Sequence, residues 1–123
     1  MSEIMAVILN GSAELEYDRS KQLPEHQALY LDKMDEKMNS GILIADKKVL
    51  NPDINQKAQF VASNLFHAIK SNDEAIVASM CTYLAVRIQD LKQIKMVEQD
   101  DGVSIDLIFD EEYKNQVAVT FKH

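Results

Sequence analysis

The sequence predicts an α+β fold in which an antiparallel sheet is covered on one face by about three helices. Near each end of the chain, apolar residues alternate with polar ones around a turn-forming dipeptide, a pattern typical of half-buried antiparallel strands. Between these regions, three segments carry apolar residues at helical spacing. No linker rich in proline, glycine or serine interrupts the 123 residues, so we expect a single domain over 1–123.

The first predicted element is a β-hairpin around Asn10-Gly11. An apolar run at 4–9 precedes this pair, and apolar residues alternate with acidic ones after it. Asn-Gly favours a two-residue type I′ turn, because both central positions of that turn need positive φ. The expected pairs are Ile8 with Ala13, Ala6 with Leu15, and Ile4 with Tyr17. A helix over residues 3–9 is the alternative interpretation.

The first predicted helix follows Pro24, a residue that suits position N1 because its missing N–H would be unpaired there anyway. Its apolar stripe is narrow, and Gly41 is a plausible C-terminal stop. The stripe consists of Ala28, Leu31, Met34 and Met38. The stretch 42–50, which follows, is interpreted as a loop pinned to the core, with a small hairpin as the alternative.

The second predicted helix begins at Asn51-Pro52-Asp53, which offers a cap, a proline at N1 and an acid in the first turn. Its expected buried face consists of Ile54, Ala58, Val61, Leu65, Ala68 and Ile69. The third helix is expected to open at Ser71, with Glu74 at capping-box spacing. It is apolar nearly all round from 75 to 88, which predicts a central position in the fold.

The last predicted element is a three-stranded meander over 94–121. Asp101-Gly102 is expected to form a type I′ turn that sets Met96 opposite Leu107. The same register sets Ile94 opposite Phe109. A polar loop at 110–115 then leads to a third strand carrying Val117, Val119 and Phe121.

Composition and charge narrow the functional classes. The chain has a formal net charge of −7, and a surface so acidic repels phosphate backbones, so we expect no nucleic-acid partner. The apolar helix is too short and too polar at Arg87 to span a membrane, so no membrane association is expected. Cys81 lies among apolar residues and is interpreted as a buried core thiol. A lone thiol and the absence of a basic, apolar leader predict a cytoplasmic location.

Catalytic and cofactor motifs are absent from the sequence. It contains no phosphate-binding loop, no dinucleotide fingerprint and no nucleophile elbow. One cysteine and three distant histidines, at 26, 67 and 123, do not fit zinc spacing. We therefore expect no catalytic residues, no metal and no cofactor, and a non-catalytic role is favoured over an enzymatic one.

Two features predict contact or ligand sites. Phe60, Asn64 and His67 share one face of the second helix, where an aromatic ring beside polar groups is typical of a partner contact. The alternative is that the 42–50 stretch covers Phe60. Arg87, in the last turn of the third helix, is expected to pair with a carboxylate, or in a sharper interpretation to bind an anionic ligand.

The third helix also carries a strip of small side chains that would let another element approach closely. Its members are Ala75, Ala78, Ser79, Thr82 and Val86. The chain's own sheet or another helix is preferred as that element over a partner subunit.

The leading functional interpretation is therefore a small acidic protein that acts through contacts with a protein partner or with a second copy of itself. The alternative is an anionic-ligand binder or minor enzyme with a pocket between helices and sheet, using Arg87 or His67. The sequence leaves open the partner's identity, the oligomeric state and the strand order between the two hairpins.

Overall fold

A computed structural model describes residues 4–44 and 46–111, which form an α+β fold of three helices, a four-stranded sheet and a two-stranded sheet. The strands are β1 (Ile4–Leu9), β2 (Ser12–Asp18), β3 (Ile42–Ile44), β4 (Lys47–Val49), β5 (Gln93–Gln99) and β6 (Gly102–Ile108). The helices are α1 (Glu25–Asn39), α2 (Ile54–Lys70) and α3 (Glu74–Arg87). The larger sheet has the order β2-β1-β5-β6, and β3 pairs with β4.

The larger sheet is mixed, because β1 and β5 run parallel while its other neighbours are antiparallel. The prediction of a wholly antiparallel sheet was therefore wrong. All three helices lie between β2 and β5, and a connection of that length can return the chain in the parallel sense. Val7 pairs with Ile94 and Leu9 with Met96, so the two central strands present their apolar residues on one common face.

The N-terminal hairpin confirms the predicted turn but not the whole register. Asn10 has φ 51° and Gly11 has φ 84°, and Ile8 pairs with Ala13 as predicted. A bulge at Glu14 then shifts the pairing by one residue. Leu15 consequently pairs with Val7 and Tyr17 with Met5, in place of the predicted partners Ala6 and Ile4.

The C-terminal hairpin forms with a register two residues away from the predicted one. Ile94 pairs with Leu107 and Met96 with Ile105, so Asp100 and Asp101 are the two turn residues. Neither aspartate has positive φ, and Gly102, with φ 156°, opens β6 rather than sitting at the turn centre. A two-residue shift leaves every side chain on its predicted face, so the apolar pattern could not detect it. The predicted third strand at 117–121 lies outside the described residues.

The helices lie where the sequence predicts them, but two of their caps differ. The N-cap of α2 is Asp53 rather than Asn51, and Asp53 and Gln56 form a reciprocal capping box. The N-cap of α3 is Asp73, which accepts from the Ile76 N–H, whereas Ser71 caps the C-terminus of α2. In each case an aspartate closer to the helix competes successfully for the first free N–H groups.

Two further expectations about the middle of the chain were wrong. The preferred loop at 42–50 was wrong and the alternative, a small hairpin, is confirmed: β3 and β4 pair, with Ile42 opposite Val49, and Ile42 is itself buried. Ile54, expected in the buried face of α2, is 47% exposed because it is the first residue of the helix and lies at its end.

Most of the buried apolar residues form one cluster, to which the sheet and all three helices contribute. From α1 come Leu31 and Met38, two members of the predicted stripe. The C-terminal half of α3 contributes Tyr83 and Leu84, both fully buried. The helices thus cover one face of the sheet, with the end of α3 at the centre of the core.

Candidate functional site

A groove of about 570 Å³ lies between β2 and α3, and its position follows from the unequal burial of α3. Glu74, Ala75, Ile76 and Ala78, in the first two turns, are exposed, whereas Cys81 to Ala85 are largely buried. The first half of the helix therefore borders open space on the side where β2 ends the sheet.

One wall of the groove is the strand β2 itself. Four consecutive residues, 14–17, line it. From Leu15 onward successive residues point to opposite faces of the sheet, so a groove lined by Leu15 and Tyr17 and also by Glu16 runs along the edge of the strand. Among the described residues β1 is the one neighbour of β2, so within this part of the chain the other edge of the strand is open.

The floor of the groove is apolar and comes from two helices. Ile69 at the end of α2 and Val77, Ala78, Cys81 and Thr82 of α3 line it, together with Leu15 and Tyr17 of β2. Ala78 and Thr82 belong to the small-residue strip noted in the sequence. They also line a second hollow of about 330 Å³, which His26 and Tyr30 of α1 border on the other side. Both hollows thus meet on that strip.

Among the described residues, the charged side chains that line the groove are all carboxylates. Glu14 and Glu16 extend from β2 and Glu74 from the start of α3, and all three are exposed. Within the described part of the chain none of them forms an ion pair. The cations Arg19 and Lys21 line a neighbouring hollow at the far end of β2.

The single thiol of the chain lies in the groove floor, but burial makes it a poor nucleophile at neutral pH. Cys81 is buried, as the sequence predicts, and burial raises the pKa of its thiol to about 11 despite the opposing charge of Arg19. The thiolate is the nucleophilic form of cysteine. Cys81 therefore contributes an apolar surface at neutral pH rather than a reactive group.

Arg87, the candidate anion-binding residue, is paired with carboxylates of the chain itself. Its Nε donates to Asp35 Oδ2 at 3.0 Å and its Nη2 to Asp32 Oδ1 at 2.6 Å. Partial burial alone would lower the pKa of Arg87, but these two carboxylates outweigh it and raise the pKa. Arg87 thus joins α3 to α1, and its Nε and one Nη donor are already used.

Asp35 is the centre of that junction. Besides Arg87, it accepts hydrogen bonds from Tyr83 Oη and from Lys57 Nζ of α2, the latter at 3.1 Å. Partial burial tends to raise the pKa of Asp35, but the bonds from Tyr83, Lys57 and Arg87 together lower it below its ordinary value. Burial and the neighbouring Asp35 raise the pKa of Tyr83.

The structure does not bring Phe60, Asn64 and His67 together as one exposed patch. Phe60 and Asn64 are half-buried and Phe60 packs against the core, whereas His67 is exposed. The ring of His67 makes an edge contact with Phe66, with centroids 5.3 Å apart. α2 also contacts β3, the strand that begins the 42–50 stretch. The partner-contact role of this face stays a prediction.

Arg19 is a residue that the sequence interpretation missed. Its Nε donates to the Ala85 carbonyl at 2.8 Å, and its Nη2 donates to the carbonyls of Ile88 and Leu91 at 2.9 and 2.6 Å. These bonds satisfy carbonyl groups at and after the C-terminus of α3. These hydrogen bonds join residues at least 66 positions apart in sequence, so no local sequence pattern predicts them.

The comparisons with known proteins give no family: no protein-family description, curated protein or solved structure is significantly similar to this chain. Across residues 4–44 and 46–111, no three His, Cys, Asp or Glu side chains lie close enough together to hold a metal ion. In the same part of the chain, no helix has the length and apolarity needed to cross a bilayer.

Proposed function

We propose that the protein is a non-catalytic interaction module that binds a basic, partly apolar segment of a partner protein in the groove beside β2. The observation that carries this proposal is the combination, among residues 4–44 and 46–111, of an apolar floor with three carboxylates that form no ion pair and a lining that includes no basic residue. Apolar side chains of a partner would be desolvated on the floor, and cationic ones would meet the carboxylates at the rim.

The charge of the groove argues for a basic partner rather than for a second copy of the chain. With a net charge of −7, two copies repel each other, and a symmetric contact across this groove would bring six rim carboxylates together. Long-range attraction would instead steer a cationic segment to the groove, and the same carboxylates would repel acidic competitors.

The alternative, an anionic-ligand binder built on Arg87, has weaker support. Asp32 and Asp35 already occupy its Nε and Nη2 donors, and an anion would have to displace them. The hollow that Arg87 shares with Ile54 and Phe109 also contains Asp90, whose carboxylate would repel an anion.

A labelled peptide tests the proposal directly. The probe is a synthetic peptide of alternating lysine and valine with blocked termini, and its matched control replaces each lysine by glutamate. We expect fluorescence anisotropy to show saturable binding of the lysine peptide, weakened by salt because exposed charges are screened. The glutamate peptide should not bind.

Charge-reversal variants place that binding in the groove. The double variant Glu14→Lys with Glu16→Lys should lower the affinity for the lysine peptide by at least tenfold, which is equivalent to about 1.4 kcal/mol of binding free energy. Asp100→Lys with Asp101→Lys is the matched control, since it makes the same charge change in the exposed turn between β5 and β6. Equal losses in both variants would mean nonspecific attraction, and no binding to the unsubstituted protein would overturn the proposal.

A further inference from the structure

The open edge of β2 has backbone groups that a bound segment can pair with. β2 ends the larger sheet, and Lys21 N–H to Asp18 O is a local bond at the end of the strand rather than a pairing along its outer edge. The strand is regular from Leu15 onward, beyond the bulge at Glu14. Within the described part of the chain, alternate N–H and C=O groups along this edge therefore face the groove without a backbone partner and can pair with an added strand.

We infer that the partner segment binds as an additional β-strand along the free edge of β2, extending the four-stranded sheet. This inference rests on the proposed function and names the binding mode at the same groove. A strand added beside β2 would lie about 4.8 Å from it and pair with its free backbone groups. A bound helix satisfies its own backbone internally and would leave those groups of β2 unpaired.

The two faces of β2 specify the side chains of the added strand. Leu15 and Tyr17 face the helices and pack against the core, so Glu16 between them lies on the opposite face of the sheet. Residues of the added strand that face the helices would lie beside Leu15, Tyr17 and Val77, where apolar side chains fit. Residues on its other face would lie beside Glu16, where lysine or arginine fits.

The expected ligand is therefore an extended segment in which basic and apolar residues alternate. The bulge at Glu14 limits the regular pairing to residues 15–18, so a segment of about four to six residues suffices. Glu14 and Glu16 also explain why acidic strands, including β2 of another copy, would not add at this edge: like charges that lie side by side on paired strands are unfavourable.

N-methylation of the lysine–valine peptide tests this mode. In an extended strand of alternating residues, all valine N–H groups point to one edge and all lysine N–H groups to the other. We expect one of the two peptides, methylated at every valine or at every lysine, to lose at least tenfold in affinity while the other binds like the parent. A peptide methylated at every residue should not bind.

Amide exchange in the protein supplies a second readout. Binding of the unmethylated peptide should slow hydrogen exchange at alternate amides of residues 15–18 and leave those of β6, at the other end of the sheet, unchanged. Equal losses for the two half-methylated peptides, or no loss in either, would overturn the strand mode. If binding still depended on Glu14 and Glu16, the proposed function would survive that result. If the parent peptide did not bind, both would fail.

Discussion

The two halves of α3 have similar amino-acid compositions but very different surroundings. Both are mostly apolar, yet the C-terminal half carries the fully buried Tyr83 and Leu84, while Ile76 in the N-terminal half is 42% exposed. Arg19, directly after β2, binds carbonyl groups of the C-terminal half and of the segment after the helix, and Arg87 joins this half to α1. In the first half the N-cap carboxylate of Asp73 accepts from the Ile76 N–H, and Val77 and Met80 are only partly buried against the core.

The difference shows that an apolar helix is not buried along its whole length merely because its sequence permits it. Burial depends on which other elements reach each turn. In the described part of the chain no strand lies beyond β2 next to the first two turns, and those turns form part of the floor of a groove. The C-terminal half thus supports the fold, while the N-terminal half supplies the proposed binding surface.

The largest expected effect separates the two halves by stability. Leu84→Ala should lower the free energy of unfolding by about 2–5 kcal/mol, since it removes a fully buried side chain and leaves a cavity. Val77→Ala, in the groove, should cost less than about 1 kcal/mol because Val77 is half-buried. Urea denaturation of both variants measures the difference. Comparable losses would mean that the two halves are equally structural.

The next effect probes the junction at Asp35 through its pH dependence. The pKa of Asp35 is lowered in the folded protein, so its contribution is fully present above the ordinary value of about 3.9 and is lost as pH falls through the folded pKa. Asp35→Asn should therefore destabilise the protein by about 1–2 kcal/mol at neutral pH, where Tyr83, Lys57 and Arg87 lose a charged acceptor.

The same variant should approach the stability of the unsubstituted protein in strong acid, where Asp35 is protonated in both states. Thermal unfolding followed from pH 7 down to about pH 1 covers the range in which this convergence occurs. Asp101→Asn is a suitable control, because Asp101 is exposed in the turn and this variant should be as stable as the unsubstituted protein at neutral pH. A constant gap between Asp35→Asn and the unsubstituted protein would contradict the charged junction.

Local patterns predicted the elements well and their assembly less well. The pair Asn10-Gly11 correctly predicted its turn, because two consecutive positive φ values favour asparagine followed by glycine. The register of β5–β6 was missed because a shift of two residues preserves every face. The parallel pairing of β1 with β5 depends on how the helices return the chain, which no short segment records.

The candidate site was harder to predict than the fold, for a related reason. The groove unites Glu14 and Glu16 of β2 with Val77 and Cys81 of α3, residues more than sixty positions apart. The small-residue strip correctly indicated that another element can approach α3 closely. It did not predict that a strand edge borders this part of the helix. In the sequence Arg87 is an isolated cation in an apolar helix, which suggested an anion site. Its partner Asp35 lies on α1 and comes within hydrogen-bond distance only when the two helices pack together.

The smallest expected effect concerns Phe60, which tests whether binding belongs to α3 or to α2. Phe60 is half-buried against the core, so Phe60→Ala should cost about 1 kcal/mol, less than a fully buried aromatic ring would. The affinity of the Phe60→Ala variant for the lysine–valine peptide should equal that of the unsubstituted protein, because Phe60 does not line the groove. Anisotropy and urea denaturation on the same sample measure both quantities. A tenfold loss of affinity with unchanged stability would move the contact surface to the α2 face that carries Asn64 and His67, and the first half of α3 would then be exposed without a partner-binding role.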